Sequence, residues 1–323
     1  MNKHQLFYSK GLCGLTNLDN TCYMNSIIQC LNNQYEFLID IYKEYNDNEN
    51  ILNSFISLSK SIYKKNGIIQ PSDFLSKVHK SALINNNMEF IGNGQKCAAD
   101  FLTFLLDVLS EINKQEINIK IKVNLDRFDI NNINSRKIHI GALKVYKTFF
   151  KKNYSTVVKH FYGQYINILR NNKDEISYQY DPYNIIALPI NNNNNNIYDC
   201  LDDFCAIEKL NDSNFRLVKF YSFPKILIIQ FKRNVLFNKN KKLIKFPHNL
   251  DMSKYYIGRL SQKFELVSVC NHFGTNKFGH YTTYAKNYNN NWYEFDDNNV
   301  YSASPNNVIT KNAYILFYKL LEQ

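Results

Sequence analysis

The chain has 323 residues, 45% hydrophobic and 15% aromatic, enough to bury a sizeable core as one large domain or two coupled lobes. Its net charge of +11 would suit an anionic partner, nucleic acid above all. Yet Lys64-Lys65, Lys151-Lys152 and Lys239-Asn240-Lys241-Lys242 are small, separated clusters in no nucleic-acid-binding motif, so they read as solvated loops.

The seven cysteines, at 13, 22, 30, 97, 200, 205 and 270, are odd in number and form no C-x-x-C, which argues against a disulfide framework or a zinc knuckle. The opening MNKHQLFYSK lacks the apolar core of a signal peptide, and no apolar run is long enough to span a bilayer. The expectation is a soluble protein of a reducing compartment, cytoplasmic and/or nuclear. In the stretch GLTNLDNTCYMNSIIQCL, a polar turn gives way at Cys22 to Ile27, Ile28, Leu31 and later Leu38, which is helical spacing. Asn20 or Thr21 is placed to cap that helix. A thiol at a helix N-terminus has a physical route to becoming a nucleophile, because the unpaired N–H groups and the macrodipole favour an anion there.

A second helical pattern covers Ile51 to Lys65, and Pro71-Ser72-Asp73 opens a third. Asn85 to Gly94 reads as a loop. From Gln95, QKCAADFLTFLLDVL sets Phe101, Leu102, Leu105, Val108 and Leu109 on one stripe. Residues 118–140 read as an irregular or short β insertion, and Ala142 to Lys152 as a helix. Beyond Gly163 the period becomes two: YINIL and ISYQYDPYNIIALPI, then the apolar run of PKILIIQFKRN, then FELVSVCNHFG, GHYTTYAKNY, NNWYEFDDNNV and AYILFYKLL. The asparagine run 191–196 reads as a polar loop without evident chemistry. The pattern is a helical lobe facing a mainly antiparallel sheet.

His280 opens a strand-like segment, where an imidazole can take a thiol proton and return it to a leaving amine. Asp296 follows on the next strand of the hairpin, in reach of that ring, where an acceptor would fix its tautomer. Asn17, five residues before Cys22, can donate its amide, with the Cys22 N–H, to an oxyanion.

With these residues in order, the chain resembles the ubiquitin-specific protease family, papain-like cysteine proteases that remove ubiquitin from proteins. GLTNLDNTCYMNSIIQCL is similar to that family's cysteine box. KFELVSVCNHFGTNKFGHYTTYAKNYNNNWYEFDDNNVYSASP with AYILFYKLL is similar to its histidine box, while GQKCAADFLTFLLDVL, HFYGQY, PKILIIQFKRN and IKFPHNLDM resemble blocks between them. The resemblance spans nearly all of residues 10–320. It implies an α+β fold in one catalytic domain over 1–323, with a helical thumb at about 10–155, reduced fingers at 156–215 and a β-rich palm at 216–323.

It also implies Cys22 as nucleophile, His280 as base, Asp296 as orienting acid with Asp297 beside it, and Asn17 as oxyanion donor. Asp100, Gln95, Gly279, Tyr281 and His272 would contact the ubiquitin tail. No cofactor is implied. The two C-x-x-C pairs of zinc-bearing fingers are missing, so short, metal-free fingers are expected. Cys97 stands at one of two acidic positions that receive the arginines of the tail, leaving Asp100 at the other. The implied activity is hydrolysis of the bond after ubiquitin's terminal Gly-Gly through a thioester, by a monomer acting on ubiquitinated proteins, without nucleic acid or membrane. Alternatives are a protease for a ubiquitin-like modifier, a non-catalytic ubiquitin-binding scaffold and, from charge alone, a nucleic-acid-binding protein.

Overall fold

The computed structural model describes residues 3–64, 66–118, 120, 133–211, 214–235, 238–275 and 278–321. Its first third holds helices α1 (Lys3–Phe7), α2 (Cys22–Asn32), α3 (Tyr35–Ile41), α4 (Ile51–Lys64), α5 (Ser72–Ile84) and α6 (Ala98–Ile112) and a short parallel pair, β1 (Cys13–Leu15) and β2 (Gly67–Ile69). Next come α7 (Ile133–Asn153), α8 (Thr156–Phe161), β3 (Gly163–Arg170), β4 (Ile176–Tyr183), β5 (Ile185–Pro189) and α9 (Ile197–Phe204). β6 (Glu208–Asn211), β7 (Asn214–Ser222), β8 (Ile226–Lys232), β9 (Asn234–Val235), β10 (Asn238–Lys239) and β11 (Asn249–Asp251) follow. The chain ends in β12 (Lys263–Gly274), β13 (Gly279–Lys286), β14 (Trp292–Asp296), β15 (Asn299–Ala303) and β16 (Ala313–Leu320). Among the described residues, no helix is long and apolar enough to cross a membrane.

The chain forms two compact units. The first comprises residues 1–113, 230–243 and 267–317, and the second 114–229, 244–266 and 318–323. In the first unit β15, β14, β13 and the part of β12 from Val267 onward lie side by side in that order, joined by antiparallel hairpins. Every residue of α2 is buried, and the helix packs on β13, β14 and α6. The expected stripe on α6 is core: Phe101, Leu102, Leu105, Val108 and Leu109 are all buried.

In the second unit β4-β3-β7-β6 form a four-stranded antiparallel sheet. Ile138 and Ala142 of α7 pack with Ile166 and Tyr221 in a cluster flanked by Tyr178 and Tyr180.

Four expectations change. The helix from Cys22 stops at Asn32, and Leu38 belongs to α3. The side-chain amides of Asn32, Asn33 and Gln34 donate to the carbonyls of Ile28, Gln29 and Cys30, a polar ending that interrupts the apolar period. Residues 133–140 are helical, not β, because Ile138 and Ala142 share the inward face of α7; of the rest of that insertion, 119 and 121–132 lie outside the described residues. The loop from Asn85 contains a single 3-10 turn at Met88–Phe90. Finally, the asparagine run starts a helix: Asn196 accepts from the N–H groups of Tyr198 and Asp199, and Asp199 accepts from the N–H of Asn196, a reciprocal capping box for α9.

Candidate active site

Two consecutive left-handed residues, Asp19 (φ 57°) and Asn20 (φ 63°), build the turn that delivers Cys22, a conformation that Asp and Asn adopt more readily than most residues. The expected caps are placed otherwise. Thr21 occupies the N-cap position, but its hydroxyl accepts from the N–H of Leu18 at 2.8 Å, inside the turn rather than in the helix. The amide of Asn20 donates to the Asn93 carbonyl and that of Asn93 to the Asp19 carboxylate, clasping the turn to the loop before α6. Cys22 is thereby the first residue of α2, and it is buried.

His280 stands at the start of β13, half-exposed, and its Nε2 meets Oδ1 of Asp296, the last residue of β14, at 2.6 Å. The hairpin register, which pairs Thr283 with Phe295 and Tyr284 with Glu294, makes this meeting possible. The Cys22 side chain beside the ring is the largest influence raising His280 to about 9; partial burial opposes it and Asp296 adds to it. The imidazole therefore keeps its proton well above its ordinary range.

Asp297 serves other groups. Its Oδ2 accepts from the amide of Asn17 and its Oδ1 from that of Asn25, each at 2.8 Å, while its carbonyl accepts from the N–H of Leu15 at 2.8 Å. Asn17 Oδ1 in turn accepts from the N–H of Thr21 at 3.0 Å. The amide of Asn17 is thus oriented at both ends. Asn25 carries no distinguishing signal in the sequence. It lies three residues after Cys22, one polar side chain among several in α2, and only its full burial shows that it has a specific partner.

Four of the five residues read as tail contacts, Gln95, His272, Gly279 and Tyr281, gather at the start of β13. Gln95 Oε1 accepts from the N–H of Gly279 at 2.8 Å. A Cβ on Gly279 would run into the His272 ring and the Phe273 carbonyl, so no larger residue fits there. Tyr281 is buried and stacked on His272, centroids 4.4 Å apart and 13° between planes. Burial holds His272 down at about 4, and neighbouring Lys239 lowers it further, so this second imidazole is neutral. Asp100 is exposed in the first turn of α6, beside Cys97. The Cys97 thiol lies 3.2 Å from the Tyr314 hydroxyl, which also accepts from Gln230, and burial raises it.

Among the described residues, His280, Asp296 and Asp297 are the one group of three whose ligand-type atoms lie within 4.8 Å of one another. The His280–Asp296 hydrogen bond, and the two amides that hold the adjacent Asp297, already account for this closeness.

The family model for ubiquitin carboxyl-terminal hydrolases matches residues 13–318. The chain belongs to this family. It is 28% identical over 352 residues to human ubiquitin carboxyl-terminal hydrolase 2, covering 97% of this chain and 56% of that protein. To ubiquitin carboxyl-terminal hydrolase 4 of Saccharomyces cerevisiae it is 29% identical over 365 residues, covering 94% and 39%. The chain thus spans about half the length, or less, of these curated relatives.

Among solved structures, a yeast SAGA DUBm structure shares the fold at a TM-score of 0.73 and 22% identity, covering 97% of this chain and 69% of that one. A SAGA Ubp8/Sgf11/Sus1/Sgf73 DUB module bound to ubiquitin aldehyde does so at 0.72 and 21%, covering 97% and 70%. The fold is α+β, of the papain-like ubiquitin-specific protease type.

Proposed function

We propose that this chain is a thiol-dependent deubiquitinase that hydrolyses the peptide or isopeptide bond after ubiquitin's C-terminal Gly-Gly. The observation that carries the reading is the placement of a buried Cys22 at a helix N-terminus beside His280, with the ring's far nitrogen fixed on Asp296 at 2.6 Å. Family membership supports it.

In this mechanism Sγ of Cys22 attacks the carbonyl carbon of the terminal glycine, and the proton from the thiol resides on His280. The Asn17 amide and the Cys22 N–H donate to the oxygen that becomes negative. His280 then protonates the leaving lysine nitrogen as its bond to carbon breaks, leaving a thioester. A water, deprotonated by His280, attacks the thioester, and the carbon–sulfur bond breaks to release the ubiquitin carboxylate and restore the thiol. Asp296 keeps the ring in one tautomer throughout. Asp297 acts by orienting Asn17 and not on the imidazole. Gly279 and Tyr281 narrow the slot so that only glycines pass, Gln95 and His272 shape it, and Asp100 receives an arginine of the tail.

The same reading makes ubiquitin and ubiquitinated proteins the partners of a monomer that acts in the cytoplasm and/or the nucleus, without nucleic acid or membrane. Two of the solved neighbours are multi-subunit Ubp8/Sgf11/Sus1/Sgf73 modules, so light scattering of the purified chain decides its oligomeric state.

The test is reaction with ubiquitin carrying a C-terminal electrophile, run beside a panel of ubiquitin-like modifiers. An adduct with ubiquitin that Cys22→Ala abolishes is the expected result. Adducts with another modifier alone would transfer the activity to that modifier, a reading favoured by Cys97 in place of an acid. No adduct at all would leave a ubiquitin-binding scaffold.

A further inference from the structure

In the second unit, α7 carries six Lys or Arg between Ile133 and Asn153 and no Asp or Glu. Its inner face is fixed by packing. Ile138 and Ala142 sit in the core cluster, His139 Nδ1 bonds the Tyr221 hydroxyl at 2.6 Å, and Gly141 leaves the space that the Tyr180 ring fills. The outward face is therefore also fixed. Lys137, Ile140, Lys144, Lys147 and Lys151 recur at three- and four-residue spacing and are all exposed, forming a stripe about 21 Å long at 1.5 Å per residue. Lys151 pairs with Glu116 at 3.2 Å, both well exposed. Among the described residues no ion pair engages Lys144, Lys147 or Lys152.

Beside this stripe Lys144, Val145, Thr148, Phe149 and Lys152 face Pro182 of β4 across an open concavity of about 420 Å³, within the size range of ligand-holding clefts. Its floor is apolar and two ammonium groups flank it. Phosphates would gain from the lysines but nothing from Val145, Phe149 and Pro182. Phe149 is already stacked on Tyr162 through one face, centroids 5.5 Å apart at 29°, so the ring cannot be sandwiched between two bases.

We propose that this flank of α7 docks an acidic segment of a second protein that carries one bulky apolar side chain. The apolar group fills the concavity over Val145 and Phe149, and flanking carboxylates lie along Lys144, Lys147 and Lys152. Charge complementarity sets the approach and the concavity sets the register.

The test uses the full chain and fluorescence anisotropy at low ionic strength, with three labelled probes: a short glutamate-rich peptide with one central phenylalanine, the same peptide with alanine there, and a short DNA duplex. The phenylalanine peptide should bind about 10-fold or more tightly than the alanine peptide, the scale of burying one such side chain. Lys144→Glu with Lys152→Glu should weaken it by about 10-fold or more through like-charge contact. Far-UV circular dichroism and hydrolysis of a ubiquitin substrate should be unchanged in that variant. Equal binding of the two peptides, tighter binding of the duplex, or no binding at all would each overturn the proposal. The second outcome would make the surface a nucleic-acid site, and the third a solvated face.

Discussion

Gly14→Ala tests whether the site depends on the contact between β1 and the turn after β14. A Cβ at position 14 would overlap the Asn298 carbonyl, and even the Asn298 Cα would be only 2.8 Å away, where ordinary contact begins at 3.4 Å. All three clashing atoms are backbone, so no rotamer change relieves them, and the strand and the turn must separate by roughly 1 Å. The adjoining tie is the N–H of Leu15 on the Asp297 carbonyl, and the Asp297 carboxylate holds Asn17 and Asn25 at 2.8 Å each. A displacement there of about 1 Å moves the proposed oxyanion donor, Asn17, and such misplacement costs about 10²-fold.

With a fluorogenic ubiquitin amide, kcat of Gly14→Ala should fall about 100-fold while KM changes little, because Gln95 and Asp100 sit on other segments. Overpacking should also cost roughly 1–3 kcal/mol of stability, so the assay belongs well below the unfolding transition. Alkylation of Cys22 by iodoacetamide serves as the internal control: it needs the thiol and His280 but no oxyanion donor, and should keep its rate. A folded variant with unchanged kcat, or one that loses alkylation and hydrolysis together, would refute the reasoning.

Four further outcomes follow from the same geometry. Because His280 is raised to about 9, its charged form contributes stability that is fully present below the ordinary histidine range and is lost as pH rises through about 9. The alkaline limb of kcat/KM should accordingly lie near pH 9, and move down in Asp296→Asn; a wild-type limb near 7 would contradict this. Asn17→Ala should lower kcat by roughly 10² to 10³ with little change in KM, and an equal loss in KM would point to substrate binding instead. Asp100→Asn should raise KM for a ubiquitin substrate, since a hydrogen bond to a charged group contributes about 1.5–3 kcal/mol; an unchanged KM rejects its role in tail recognition. Asn196→Ala removes the capping box of α9 and should cost about 1 kcal/mol in urea unfolding, with specific activity of the folded protein intact, and a neutral result would mean that α9 is held by packing alone.

The parts of this molecule legible in the sequence are those where a local period coincides with the tertiary role. The alternation in GHYTTYAK and WYEFD fixes a hairpin, and the hairpin alone brings Asp296 to His280. Likewise the stripe on α6 is apolar because it is core. What was not legible depends on partners far along the chain. Asn25 looks like any polar helical residue until Asp297, 272 positions away, is known to sit on it. The extent of α2 is hidden because apolar spacing continues across Asn32-Asn33-Gln34, whose amides fold back on the preceding carbonyls. The start of α9 was hidden by its own cap, since an Asn within an asparagine run reads as loop.

That last case bears on how this chain uses asparagine. An Asn side chain has one acceptor and two donors on a short stem, so it can satisfy backbone groups that regular structure leaves open. Asn171 accepts from the N–H groups of Lys173 and Glu175, and Asn287 from those of Asn289 and Asn291, each closing a turn. Asn53 receives the N–H of Asn46 and donates to the Asn48 carbonyl, pinning the loop before α4. Asn17 accepts the Thr21 N–H in the same way, but its donor side is held by a carboxylate and not by main chain. The Asn171 amide is also held by a carboxylate, that of Glu175 within its own turn at 2.8 Å, so what sets Asn17 apart is that its carboxylate, Asp297, comes from a segment 280 positions away. That carboxylate is itself placed by a left-handed turn residue (φ 47°) bonded to β1. In the proposed mechanism, turn chemistry common throughout the chain becomes catalytic chemistry at the turn beside Cys22, where a second segment orients the amide.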